Sequence, residues 1–62
     1  MTLEEAMELV QGWPEDRTVP RKLAEGIMKA SDEDATFMGQ LVEALIVAAA
    51  SEEDDKLISK YF

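Results

Sequence analysis

The chain has 62 residues, with no Cys, no His, and fourteen acidic residues against six basic ones, for a formal net charge of −8. Disulfides, thiolate or imidazole metal ligands and the commonest general base are therefore excluded, and the charge balance repels nucleic-acid phosphates and anionic membranes. A single domain this short, residues 1–62, buries only about 60% of the surface its unfolded chain exposes, so tight helix packing or oligomerisation has to supply the missing stability.

The first predicted helix covers residues 3–11. Thr2 and Glu5 have the T-x-x-E spacing of a capping box, in which each side chain satisfies a backbone N–H of the other. Leu3, Ala6, Met7 and Val10 fall on one face, with Leu9 at its edge. Gly12 is expected in the left-handed conformation that closes a helix. Trp13, held away from helical geometry by Pro14, is expected to fold back onto the core. After a loop over 15–19, Thr18 or Val19 caps a second helix over 20–30, with Pro20 in its first turn and Leu23, Ala24, Ile27 and Met28 as its apolar stripe.

Ser31 or Asp32 caps the third helix, 32–50, whose early acids complement the helix dipole. Met38, Leu41, Val42, Leu45, Ala48 and Ala49 form the stripe expected to be buried, with Phe37 and Ala44 beside it. The opposite line carries Thr36, Gln40 and Glu43, but continued by helical spacing it reaches Val47 and Ala50. The second half of this helix is thus apolar nearly all round, which implies contacts on all sides. Ser51 opens the fourth helix, 52–61, with Asp54 at the reciprocal capping position and Leu57, Ile58, Tyr61 and Phe62 as its apolar face. No strand-like alternation is present. The expected fold is all-α, a small antiparallel four-helix bundle, because short connections favour antiparallel neighbours. Gly26 and Gly39 inside helices suggest close backbone approach at helix crossings.

The acidic clusters invite a metal reading. Asp32, Asp34 and Glu43 match positions 1, 3 and 12 of a calcium-binding loop, but position 6, which needs Gly for its sharp turn, is Phe37. No metal and no cofactor is expected. The hydroxyl and phenol side chains have no His to activate them and there is no Gly-rich phosphate loop, so no enzyme activity is expected. Arg17, Arg21 and Lys22 are half of the basic charge and lie at the start of helix 2, where cations oppose the dipole. They are expected to pair with Glu52–Asp55 at the start of helix 4, or else to form an anion site. Glu4, Glu5, Asp32, Glu33 and Asp34 form an acidic pole at the other end.

The stretch Asp16-Arg17-Thr18-Val19-Pro20-Arg21 resembles the D-x-T-V-P-[RK] turn of a family of short, uncharacterised all-helical archaeal proteins. Lys22, Leu23 and Ala24 depart from the Arg or polar residues expected next. The resemblance implies an all-helical fold and no activity.

Three short helices cannot surround a longer one, so part of helix 3 is expected to stay uncovered. Gln40, Glu43, Ile46, Val47 and Ala50, with Tyr61 and Phe62, are the expected interface of a protein-interaction module, most simply a homodimer. The alternative is an acidic decoy that occupies a basic, nucleic-acid-binding surface of a partner. Neither reading involves direct nucleic-acid or membrane binding. The N-terminus lacks the basic region of a signal peptide and the apolar run is too short to span a bilayer, so a cytoplasmic location is expected.

Overall fold

The computed structural model describes all 62 residues and contains four helices: α1 (Leu3–Val10), α2 (Val19–Lys29), α3 (Asp32–Ala48) and α4 (Glu52–Tyr61). There are no strands. α1 begins with the capping box read from the sequence: Glu5 N–H donates to Thr2 Oγ1 at 3.1 Å, and Thr2 N–H to Glu5 Oε1 at 2.9 Å. It ends without the left-handed glycine expected at Gly12, because no residue in the chain has positive φ. Instead Gln11, Gly12 and Trp13 donate to the carbonyls of Glu8, Leu9 and Val10, each at 3.2 Å. These tight i to i+3 bonds satisfy the last carbonyls of α1 while the chain turns. The Trp13–Pro14 peptide is cis.

α2 starts one residue earlier than its sequence pattern suggests. Thr18 does not cap it with its side chain. Its hydroxyl and its N–H both donate to Asp16 Oδ1, at 2.6 and 2.9 Å, so an aspartate-centred turn sets the entry into α2. Ser31 caps α3 by accepting Asp34 N–H at 3.3 Å, and Ser51 caps α4 by accepting Asp54 N–H at 3.3 Å. α3 stops at Ala48, two residues short of the expected end, and Ala49 is extended.

α1 packs on α2 and α3, and α4 packs on α2 and α3, while α1 and α4 do not touch. Two triangles of helices therefore share the α2/α3 edge. The core is Ala6, Trp13, Val19, Leu23, Met38, Leu45 and Ile58, surrounded by half-buried Leu3, Leu9, Val10, Ile27, Leu41, Val42 and Leu57. Only ten residues are buried, so each large core side chain carries a sizeable share of the stability.

Several residues read as core lie outside it. Met7, Met28 and Phe37 are exposed, as are Ala44 and Ala48. These residues fall beyond the strip of each helix that its neighbours cover, which for α3 takes in Met38, Leu41, Val42, Leu45 and Ala49. The two helical glycines also differ. A Cβ at Gly26 would lie 2.9 Å from the Met1 sulfur, so this glycine lets the Met1 side chain lie on α2. At Gly39 a Cβ would meet nothing within 4 Å, so the close approach expected there does not occur: its side of α3 is open.

Candidate interaction surface

The surface left open by the fold is the outer side of α3. Val47 is 86% exposed, Ile46 54% and Phe37 46%, and Gln40, Glu43, Ala44, Ala48 and Ala50 are exposed around them. From Gln40 to Ala50 the only charge is Glu43. Of the other expected interface residues, Phe62 is half-exposed and Tyr61 is half-buried, with Lys60 Nζ 5.6 Å from its ring centre. An exposed valine and isoleucine on consecutive positions, in a chain with 14 acids to choose from, is where an apolar patch carries information.

What holds this face in place lies behind it, at the end of α3. Trp13 is buried and its Nε1–H donates to the Leu45 carbonyl at 3.0 Å. Leu45 is in the last turn of α3, where carbonyls lack a partner further along the helix; the indole supplies one. The Ile46 carbonyl takes Ala49 N–H at 3.2 Å. The other tie is Asp54, which is 5% exposed. Its Oδ2 accepts Ala50 N–H at 2.8 Å, and its Oδ1 accepts a short, charge-assisted bond from Arg17 Nη1. Arg17 Nη1 also donates to the Pro14 carbonyl at 3.2 Å, and the guanidinium lies over the Trp13 ring, 5.0 Å from its centre. The reciprocal bond from Asp54 thus reaches Ala50 rather than the capping residue Ser51, and one carboxylate joins the α3–α4 break to the start of α2.

Of the three clustered cations at the start of α2, the structure brings Arg17 alone to α4. Arg21 and Lys22 are exposed and make no ion pair; the other ion pair in the molecule is Lys56–Glu52, on the surface of α4. Arg17 is engaged by Asp54 and by the Pro14 carbonyl. Of the acidic-pole residues, Glu4, Glu5, Asp32 and Glu33 are exposed and Asp34 is half-buried, and none has a cationic partner. No group of three or more acidic side chains is arranged to hold a metal ion. A shallow, open depression beside Arg17 is lined by Glu53, Lys56, Leu57 and Lys60.

Three carboxyls are held below their ordinary range, each by hydrogen bonds to the ionised form. The Ala50 amide and then the Arg17 guanidinium lower Asp54, against the opposing effect of burial. The Thr18 hydroxyl and amide lower Asp16, and the Thr2 amide and hydroxyl lower Glu5. A carboxyl whose folded pKa is depressed binds fewer protons folded than unfolded. Its stabilisation is complete above the unfolded value, about 4, and is lost as pH falls through the folded value. Thermal stability should therefore decline on acidification below about pH 4. Asp54→Asn should lower stability at neutral pH and flatten this acid limb, as followed by circular dichroism melts from pH 2 to 7. An unchanged acid limb in Asp54→Asn would show that the tie to Ala50 and Arg17 does not couple to folding.

Trp13, although expected to cap the core, was not legible as the partner of Leu45, nor Asp54 as a buried tie. The available signal was the S-x-x-D spacing of Ser51 and Asp54 together with an Arg four residues after Trp13.

Comparisons of the chain with family models, with curated proteins and with solved structures find no match. No helix is long and apolar enough to cross a membrane.

Proposed function

We propose that this chain is a small acidic protein-interaction module that self-associates through the outer face of α3. The observation that carries the reading is the exposure of Val47 and Ile46 on a face whose only charge past Gln40 is Glu43. A chain of this length gains most from covering that face, since its own core is small. A second copy is the simplest cover, because an isologous contact uses one patch twice. Gln40, Glu43 and Ala50 border the patch, and Tyr61 and Phe62 are its margin at the C-terminus.

In this reading the helices run antiparallel along the chain. Support comes from Met1 lying against Gly26, late in α2, and from Trp13 and Arg17 meeting the end of α3 and the start of α4. The resemblance of the Asp16–Arg21 turn to the archaeal helical family supports the fold alone. The protein is read as a cytoplasmic, non-enzymatic module without cofactors.

Val47→Glu should weaken self-association by about tenfold or more, because the contact would then bury an unpaired carboxylate. It should leave helix content unchanged, since Val47 touches little of its own chain. Sedimentation equilibrium of the variant beside the parent protein checks both. A Val47→Glu protein that dimerises as well as the parent would remove the outer face of α3 from the assignment.

The unpaired acidic pole favours a second reading, an acidic decoy for a basic surface of another protein. The two readings separate by ionic strength. Decoy binding weakens steeply with added salt, whereas apolar association hardly changes.

A further inference from the structure

We infer that the break between α3 and α4 is a clasp: Trp13 and Asp54 maintain a bend that, once released, straightens into one continuous helix from Asp32 to Tyr61. The break is Ala49, Ala50 and Ser51, and nothing in it demands a turn. It contains no Gly or Pro, no residue has positive φ, and alanine is the strongest helix former. Yet Ala49 is extended, with ψ 126°. Other local features favour the bend. Ser51 caps α4, and the acids Glu52, Glu53, Asp54 and Asp55 fill its first turn, where they suit the helix dipole. Local preferences therefore oppose each other, as a two-state element requires, and contacts from elsewhere in the chain decide between them.

Those contacts fall on the groups that a continuous helix would use. In such a helix Ala49 N–H would donate to the Leu45 carbonyl and Ala50 N–H to the Ile46 carbonyl, each four residues back. In the bent form Ala49 N–H donates to Ile46 instead, at 3.2 Å. Trp13 Nε1–H donates to the Leu45 carbonyl at 3.0 Å, and Asp54 Oδ2 accepts Ala50 N–H at 2.8 Å. Trp13 and Asp54 are thus the substitute partners of the two backbone groups that the bend would orphan. Arg17, itself half-exposed, joins them by pairing with Asp54 and lying over the Trp13 ring. The remaining apolar anchors of α4 are buried Ile58 and half-buried Leu57, and α1 does not touch it. Release swings α4 out as an extension of α3 and lifts both side chains off the core. The continuous helix of residues 32–61 would be about 45 Å long, against 31 Å for the longest axis of the bent molecule.

A distance measurement with opposing variants tests the clasp. The chain has no Cys, so Glu33→Cys and Ser59→Cys, both at exposed positions, take a pair of spin labels on the full chain. Labelled chain diluted into unlabelled chain at low micromolar concentration reports distances within one copy. The parent should show one short distance. Asp54→Ala and Trp13→Phe should each add a population near 39 Å, the rise of 26 helical residues. Glu52→Pro should remove that population in both backgrounds. Residue 52 is the first of α4 and follows extended Ser51, where Pro is well accommodated. Inside a continuous helix the same Pro would lower the straight form about a hundredfold. A single short distance in both Asp54→Ala and Trp13→Phe would overturn the clasp. So would a long population that survives Glu52→Pro, or a broad distribution accompanied by loss of helix in circular dichroism.

Discussion

Trp13→Ala is expected to leave most molecules unfolded at 25 °C. A domain of this length has a total stability of about 3–9 kcal/mol, from the usual 0.05–0.15 kcal/mol per residue. Removing a buried tryptophan costs about 3–5 kcal/mol through lost transfer energy and the cavity left behind. The Leu45 carbonyl would also lose its indole donor, for about 1 kcal/mol or more if no water replaces it. Arg17 would lose the ring it lies over. Trp13→Phe separates these effects: it keeps most of the packing and removes only the donor, so it should fold with a lower urea midpoint. Urea unfolding followed by far-ultraviolet circular dichroism reads both variants. A Trp13→Ala protein with the midpoint of the parent would mean that the loop between α1 and α2 is not part of the cooperative core.

The second large effect contrasts two apolar residues of one helix. Leu23 is completely buried, whereas Met28 is 85% exposed. Leu23→Ala should cost about 2–5 kcal/mol, and Met28→Ala should stay within about 0.5 kcal/mol of the parent. Sequence periodicity puts both on the same stripe, so the comparison tests the packing itself. Equal losses at the two positions would show that α2 is turned differently about its axis.

The all-helical character and the four helices are legible because each helix carries a local start signal. Thr2, Ser31 and Ser51 each accept the backbone N–H three residues on, from Glu5, Asp34 and Asp54, although the full reciprocal box forms only at Thr2 and Glu5. The ends were harder because tertiary contacts decide them. Ala49 and Ala50 are strong helix formers, yet α3 stops before them: Ala50 N–H is taken by Asp54, and Trp13 occupies the Leu45 carbonyl. Nothing within five residues of Ala49 in the sequence would predict a Trp from 36 positions earlier.

The candidate surface was partly legible for a related reason. An apolar run round the whole of α3's second half indicates that something should cover it, and Val47 and Ile46 are indeed exposed. Phe37, Ala44 and Ala48 were read with the buried side, because periodicity alone cannot say how wide a face the neighbouring helices enclose. α1 and α4 each contact α2 and α3 but not each other, which leaves a wider strip of α3 open than a closed ring of four helices would. The charges divide in the same way. Opposite charges at the starts of α2 and α4 suggest a pairing, but that Arg17 makes it while Arg21 and Lys22 face solvent depends on the turn through Pro14, where the Pro14 carbonyl and the Trp13 ring hold the guanidinium.

Self-association through an apolar face is tested most directly by molar mass, measured by light scattering behind size exclusion from micromolar to millimolar protein at low and at high salt. The expected result is a monomer that converts to a dimer as concentration rises, with a midpoint that salt leaves unchanged or moves to lower concentration, since screening relieves the repulsion between two copies of charge −8. A protein that remains monomeric throughout, or a dimer that dissolves as salt is added, would contradict it.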